Sequence, residues 1–595
     1  MFVNEYGLKR QSWQAFERTV ARLLLYEGFE GIRLVSQSGD RGGDLIAHKC
    51  GKRWLFQIKH WKKRVGTRVL DETVAAARTY EAQIPVIVAL SGFDREAMRH
   101  QERLHSHNIP IQLWDCNTLY SHAAELPEEC ITRLQPRDYQ EDAILPLVRE
   151  YVEGYSRRAL IVMATGLGKT FVAYEAIRRM AKAKGRPLRI LILAHTNELV
   201  YQLERAIWPF LTTKQTTAVW NGYENPSDED LNGSTVVAAC INTVAEHIER
   251  LSGLQIDIVV VDECHHVGGE MYRRVLSEMN AGSNNGPFLI GLTATPWRSD
   301  EVELIDYFGE PLVSIDMVTG LRKGFLSNVD YRMYTDNINW EALESLSGQM
   351  LSPRQINRTL FINQWDDAVV YELQKTWTEQ SNPRCIVFCG TIDHALTMRD
   401  RINALGFCNA AALYSQSPST GIMTSYERNR ILCDFDEGIL QAVCAVDIFN
   451  EGLDVPDVNI IVFQRVTHSR RIFIQQIGRG LRVAPGKERV IVLDFVSDIR
   501  RFAAGLQLKR QLSDGRSDSS PMRIDLPHKV SFCKVGGEDP RTESFLQQWL
   551  EDVSAIEMAG EDASILKFPP DIRGVYHDFQ RRHFGHSEAS RTSTQ

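Results

Sequence analysis

Between about residues 130 and 500 the chain repeats one pattern, a short and almost wholly apolar run followed by an amphipathic helical stretch. The runs are Ala159–Met163, Arg189–Ala194, Thr235–Ala239, Ile256–Val261 and Phe288–Leu292, then Cys385–Cys389, Ala442–Val446, Asn459–Phe463 and Val490–Asp494. A strand with one face in water alternates apolar and polar side chains. A strand apolar at every position needs cover on both faces, which points to parallel sheets with helices above and below. These runs suffice for two such sheets. A chain of 595 residues also exceeds what one hydrophobic core can serve, so three to five domains are expected.

Composition narrows the class. Hydrophobic residues make up 43% and charged residues 24%, as in ordinary globular proteins. No apolar stretch reaches the roughly 18 residues of a membrane span, so no membrane partner is expected. The N-terminal Met-Phe-Val-Asn-Glu-Tyr-Gly lacks a basic stretch followed by an apolar one, and no secretory signal is read there. Eleven cysteines are scattered singly, and the near pair Cys385 and Cys389 lies in an apolar run that reads as a buried strand. That spacing argues against a disulfide framework or zinc ribbon and fits a reducing cytoplasm.

The net charge of −8 appears unfavourable for a nucleic-acid partner, but its distribution is uneven. No acidic residue occurs between Asp44 and Asp71, whereas Lys49, Lys52, Arg53, Lys59, Lys62, Lys63, Arg64 and Arg68 are all basic. Salt screens surface charges beyond about 10 Å, so a local basic field can hold phosphates whatever the overall sum.

N-terminal to the repeating pattern lies a small mixed α/β unit. Its expected elements are a helix over residues 11–26, strands near Asp44–Ala47 and Trp54–Ile58, a helix around Asp71–Tyr80 and a strand at Pro85–Leu90. Leu126-Pro127-Glu128-Glu129 marks its end. The polar stretch Ser513–Ser520 reads as a linker, and a mixed-charge tail follows with one expected helix, Glu543–Met558. No repeat of solenoid period is present.

Met163-Ala164-Thr165-Gly166-Leu167-Gly168-Lys169-Thr170 follows an apolar strand and opens a helix, the context a phosphate-binding loop requires. Its glycines let backbone N–H groups close around phosphates, and the helix N-terminus adds a positive dipole. Lys169 would reach the β- and γ-phosphates and Thr170 would hold Mg²⁺. Met163 stands where the generic loop has its first glycine. About ninety residues later, the apolar Ile258–Val261 ends in Asp262 and Glu263. Asp262 would bind Mg²⁺ and Glu263 would polarise the attacking water. Together these two blocks describe an ATP site.

The order of the blocks resembles superfamily 2 helicases and translocases. Arg137-Asp138-Tyr139-Gln140 resembles the element in which Gln140 reads adenine, and Ala194–Leu199 resembles motif Ia, which contacts the nucleic-acid backbone. Asp262-Glu263-Cys264-His265 is similar to motif II and Thr293-Ala294-Thr295-Pro296 to motif III. Asn450–Pro456 resembles motif V and Gln475–Arg482 motif VI. The resemblance implies that Arg479 and Arg482 act as arginine fingers when two lobes close, with Gln475 beside the nucleotide. It lies nearer to restriction-enzyme motors and RadD-like repair helicases than to RNA-specific DEAD-box proteins.

In the N-terminal unit, Ser38-Gly39-Asp40-Arg41-Gly42-Gly43-Asp44 precedes Trp54-Leu55-Phe56-Gln57-Ile58-Lys59-His60. Gln57 and Lys59 are two apart on a strand and share a face. Asp44 would hold a divalent ion with help from the Ile58 carbonyl, and Lys59 would orient or activate water and steady the pentavalent phosphate. This arrangement resembles the Mrr branch of the PD-(D/E)xK nucleases, in which glutamine replaces the usual carboxylate. The resemblance implies that Glu17, on the first helix, completes the metal site.

The expected architecture is α/β. A restriction-endonuclease-like domain (1–125) precedes tandem RecA-like domains (126–325 and 326–505), with a linker and small C-terminal extension (506–595). The expected function is an ATP-dependent DNA translocase or helicase carrying a Mg²⁺-dependent endonuclease, in bacterial defence against foreign DNA. The alternative is a repair or remodelling helicase whose N-terminal domain binds DNA without cutting it. Duplex DNA is the expected partner rather than RNA, with a defence-system protein as a further one.

Overall fold

The computed structural model describes residues 1–35, 43–154, 156–294, 304–334, 350–351, 366–414, 416–417, 421–423, 425–446, 458–464, 481, 483, 487–495, 529–534, 537–538 and 566–567. They form two compact units. The first is built mainly from Met1–Met163 and Gly168–Ile315, the second mainly from Asp316–Met423 and Ile431–Gln595.

The first unit contains two sheets. The N-terminal sheet has five strands in sequence order, β1 (Glu30–Leu34), β2 (Leu45–Lys49), β3 (Lys52–Lys59), β4 (Ile84–Ala89) and β5 (Gln112–Trp114). β1, β2 and β3 pair antiparallel, while β3, β4 and β5 pair parallel. Cys50 and Gly51 make the β2–β3 turn, with φ of 54° and 70°. Two positive φ values in a two-residue loop match the right-handed twist of the strands. That turn fixes the register, and Leu45 lies opposite Phe56. The helix Trp13–Tyr26 is capped by Ser12, whose side chain accepts from the Ala15 N–H, and it turns Phe16, Val20, Leu23 and Leu24 into the core.

The second sheet has seven strands, β6 (Arg158–Met163), β7 (Ile190–Ala194), β8 (Thr217–Trp220), β9 (Val236–Cys240), β10 (Ile258–Val261), β11 (Phe288–Thr293) and β12 (Pro311–Ile315). Their spatial order is β12-β6-β11-β10-β7-β9-β8, and every pairing is parallel. The four residues of β10 are fully buried, as an apolar strand covered on both faces must be. Because all strands run one way, the ends of β6, β10 and β11 open on one edge. Ligands bind at that edge in open α/β sheets.

The second unit carries a further sheet in the order Ala410–Leu413, Ala442–Ala445, Cys385–Phe388, Ile460–Phe463, Arg489–Phe495, Asn328–Tyr334, Lys529–Lys534 and Gly537–Glu538. All neighbours are parallel except the last pair. The apolar runs read from the sequence all appear as strands of the two large sheets, within a residue or two of the expected ends. Pro311–Ile315, Asn328–Tyr334 and Lys529–Lys534 are additional strands. Their polar residues, such as Asp330 and Arg332, break the continuous apolar signal. Lys529–Lys534 belongs to the C-terminal extension yet pairs with Asn328–Tyr334. The expected linker Ser513–Ser520 and helix Glu543–Met558 lie outside the described residues.

Gly291 on β11 has no room for a side chain, since a Cβ there would lie 2.6 Å from the ring of buried Phe308. Gly291→Ala should destabilise the first unit by about 1–3 kcal/mol through overpacking. Thermal unfolding checks this, and an unchanged midpoint would contradict the packing described.

Candidate functional site

Lys169, Thr170, Asp262 and Glu263, expected from the sequence to bind ATP, lie at the carboxyl edge of the seven-stranded sheet. β6 leads into the turn Ala164–Gly168, closed by the Leu167 N–H donating to the Ala164 carbonyl at 3.2 Å. Thr165 and Gly166 lie in this turn, and Lys169 and Thr170 begin the helix Lys169–Lys184. β10 lies two strands from β6, roughly 10 Å away, a span that a lysine side chain from the helix start can bridge. Lys169 Nζ donates to Glu263 Oε1 and lies 3.9 Å from Asp262 Oδ1. Glu263 itself has φ 47°, a left-handed conformation uncommon outside glycine.

Burial penalises the charged form of Lys169, but Glu263 and Asp262 outweigh it and raise the lysine pKa. Burial pushes Asp262 up to about 6, opposed by Lys169. Asp262 Oδ1 is buried and accepts no hydrogen bond from the described residues. A buried carboxylate oxygen without a donor, beside the Thr170 helix start, suits a divalent ion such as Mg²⁺. His265 Nδ1 lies 3.3 Å from Glu263 Oε2 and 3.1 Å from Thr293 Oγ1, which ties the end of β10 to the end of β11.

Gln140 is brought to the same loop. It sits in the first turn of the helix Asp138–Glu153, where its Oε1 accepts from the Arg137 N–H at 3.0 Å. Its amide nitrogen lies 2.6 Å from where a Cβ on Gly168 would be, and Gly168 has φ +86°. The positive φ favours glycine at 168, and a side chain there would displace the Gln140 amide. Thr196 caps the helix Asn197–Ile207, so the motif Ia segment forms a strand end and helix start beside this edge.

The second cluster lies on the five-stranded sheet. The Asp44 N–H donates to the Phe56 carbonyl at 2.8 Å and the Asp44 carbonyl accepts from Val35 at 2.9 Å. This backbone grip aims the carboxylate along β3, where Oδ2 accepts from the Ile58 N–H at 2.5 Å and lies 3.7 Å from Lys59 Nζ. Gln57 and Lys59 do share a face. With its amide oriented to suit its neighbours, Gln57 Oε1 accepts from Lys59 Nζ at 3.0 Å, and its nitrogen donates to Thr73 Oγ1 and to the Val69 carbonyl at 3.3 Å. Burial raises the Asp44 pKa, opposed by Lys59 and then the Ile58 N–H. Glu17 is buried on the helix Trp13–Tyr26, and its neighbour Phe16 packs 5.4 Å from the His60 ring just beyond Lys59.

Among the described residues, no group of three or more His, Cys, Asp or Glu side chains forms a metal cage. A site with fewer than three such side chains fits Mg²⁺ held in good part by water and a substrate phosphate.

The basic stretch divides on folding. Arg53 is buried and donates to the Tyr80 carbonyl, and Lys49 lies 3.7 Å from Glu27. Lys52, Lys62, Lys63, Arg64 and Arg68 are exposed. Trp61, 48% exposed, lies between Lys59 and this basic run, its ring 5.7 Å from Lys59 Nζ. Ser38–Gly42, Thr295–Pro296, Asn450–Pro456, Gln475, Arg479 and Arg482 lie outside the described residues. Sequence reasoning missed Thr73, which anchors Gln57. A threonine inside a helix gives no signal until the helix is docked.

Two outcomes follow from this geometry. Gly168→Ala should weaken nucleotide binding at least about tenfold, measured by titration with a fluorescent ATP analogue. Because Asp262 takes up a proton as pH falls through about 6, kcat/KM for ATP should drop below that pH, about tenfold per unit. Hydrolysis rates measured from about pH 5 to 8 test this, and a flat profile would contradict it.

Family models match three stretches. Residues 8–122 match "Restriction endonuclease" of the Mrr catalytic type, 133–298 match "Type III restriction enzyme, res subunit", and 366–484 match "Helicase conserved C-terminal domain". The chain is 27% identical over 565 residues to the type I restriction enzyme EcoAI endonuclease subunit of Escherichia coli, covering 86% of this chain and 64% of that one. It is 26% identical over 375 residues to the putative mitochondrial ATP-dependent helicase irc3 of Schizosaccharomyces pombe, covering 62% and 59%. The chain thus spans about three-fifths of the length of these curated relatives. The solved structure "ATP-dependent Type ISP restriction-modification enzyme LlaBIII bound to DNA" aligns with 96% of this chain and 42% of its own, at a TM-score of 0.50 and 14% identity; that likeness concerns the fold alone. The chain thus carries, in order, a stretch that matches a Mrr-type restriction endonuclease, one that matches a restriction-enzyme res subunit and one that matches the conserved C-terminal domain of helicases.

Proposed function

We propose that this protein is an ATP-dependent DNA translocase or helicase that carries its own Mg²⁺-dependent endonuclease and acts in bacterial defence against foreign DNA. The observation that carries the reading is the convergence of Asp44, Gln57 and Lys59 on one face of β3, in a chain whose motor has Lys169 set against Asp262 and Glu263. Its relatives among restriction enzymes favour the defence role, with DNA as the partner.

In the motor, the Lys169–Glu263 pair leaves each group neutralising the other. Phosphates of ATP compete for Lys169, which frees Glu263 to orient and deprotonate water. Asp262 and Thr170 would hold the Mg²⁺ that neutralises phosphate charge when bound. Arg137 and Gln140 would face the adenine, and Thr165, Gly166 and Gly168 would wrap the phosphates. Gln475, Arg479 and Arg482 enter through the family resemblance, Gln475 beside the nucleotide and the two arginines as groups that respond to the γ-phosphate.

At the nuclease cluster, Asp44 and Glu17 would hold the metal, which supplies charge neutralisation at the scissile phosphate. Lys59, held by the Gln57 amide, is placed to orient water and to stabilise negative charge on phosphoryl oxygens. The basic run Lys62–Arg64 gives the adjoining surface the sign that DNA phosphates require.

A second reading keeps the motor but makes the N-terminal domain a non-cutting DNA sensor of a repair helicase. The neutral Gln57 favours it, since it withholds a charge from any metal. Plasmid nicking with Mg²⁺ and ATP separates the two. Wild type should cut, while Asp44→Ala and Lys59→Ala should reduce cutting at least about 100-fold with DNA-stimulated ATP hydrolysis intact. Stimulated hydrolysis without cutting on either methylated or unmethylated duplex would establish the sensor reading. Lys169→Ala should abolish ATP turnover and Glu263→Gln should trap bound ATP; normal hydrolysis by either variant would refute the motor assignment.

A further inference from the structure

The helix Trp13–Tyr26 does more than line the nuclease core. Its positions 18, 22 and 26 recur every four residues and so share a face. All three side chains bind the motor domain of the same unit. Arg18 Nη1 donates to Glu224 Oε1 and Nη2 to Glu224 Oε2 at 3.1 Å, while its Nε lies 3.5 Å from Glu204 Oε2. Arg22 donates to the carbonyls of Gln215 and Thr212, both at 3.0 Å. The Tyr26 hydroxyl lies 3.0 Å from the Trp208 carbonyl and 2.5 Å from that of Leu211. Ser12, the helix cap, donates to Glu224 Oε2 at 2.9 Å.

The charges are buried, with Arg18 6%, Glu204 1% and Glu224 7% exposed. Desolvating such a cluster is costly, and apolar replacements of similar volume often serve stability as well. What a bidentate guanidinium–carboxylate pair adds is one defined orientation. Two further facts give that orientation a use. Glu204 lies on the helix Asn197–Ile207, whose first turn belongs to the motif Ia segment. Glu17, beside Arg18, is the residue assigned to the nuclease metal.

We infer that Arg18 is a positioning residue through which the motif Ia helix of the motor holds the Glu17-bearing helix, so that the motor's grip on DNA sets the nuclease centre. The inference rests on the nuclease reading above. In mechanical terms, a shift of Asn197–Ile207 on strand engagement moves Glu204, and the buried ion cluster carries that shift to Trp13–Tyr26. The nuclease domain is on this account a part of the motor's first lobe and not a freely tethered module.

The test uses the full-length protein with R18K and E224Q. R18K keeps the positive charge but cannot form the two-pronged pair, and E224Q keeps the shape of its side chain without the charge. Both variants should retain ATP-independent nicking and DNA-stimulated ATP hydrolysis within about twofold of wild type. Stimulation of nicking by ATP should fall at least about tenfold. Full stimulation in both variants would overturn the inference. Hydrogen exchange separates this from failure of the nuclease reading, because it needs no cleavage. In wild type, a duplex with a non-hydrolysable ATP analogue should change exchange in the peptide covering Trp13–Tyr26, and R18K should lose that change. A response equal in both proteins, or none in wild type, would overturn the coupling even if no DNA is cut.

Discussion

An all-parallel apolar sheet is stable only when both of its faces are covered, and much of the first unit follows from that requirement. Helices must return the chain across the sheet after each strand, so β6, β10 and β11 all end on the same edge. The order β6-β11-β10 leaves a span of two strand spacings between the loop and the acidic pair. Lys169 crosses it. An antiparallel arrangement in the same order would put the end of β11, with Thr293, at the edge opposite the loop glycines and the acidic pair.

The charges that matter in the first unit are buried and paired. Lys169 faces Asp262 and Glu263, Asp44 faces Lys59 and the Ile58 N–H, and Arg18 faces Glu204 and Glu224. The pairs differ in what they leave over. Lys169 is shared between two carboxylates, so this site carries a surplus of negative charge suited to a cation. Asp44 is matched by Lys59 alone, and Gln57 adds no charge. Arg18 is enclosed by protein on all sides and offers nothing to a ligand, which marks it as a joint between elements.

Much of the site was legible because its chemistry is local. A glycine-bearing loop between strand and helix, and two acids at a strand end, need only their immediate neighbours to be recognised. Gln57 and Lys59 were legible for the same reason, since two residues apart on a strand is enough to place them together. The hold of Thr73 on Gln57, by contrast, joins positions 16 apart through the docking of a helix on β3. The basic stretch from Lys49 to Arg68 was read as one field, but folding buries Arg53 and engages Lys49 with Glu27. A linear charge count contains no information on which of those side chains turns inward.

The sequence by itself determined the class of fold, the apolar strands of the two large sheets and the residues proposed for the two chemical clusters. It did so because continuous apolarity, glycine and turn geometry act within a few residues of chain. Only tertiary structure decided that Gln140 lies against Gly168, that Lys529–Lys534 extends the second large sheet, and that Arg18 meets acids about 190 and 210 positions away. Those contacts depend on which faces pack together. Pairing across such distances is set by the burial of whole elements, which leaves no periodic mark on the residues that meet.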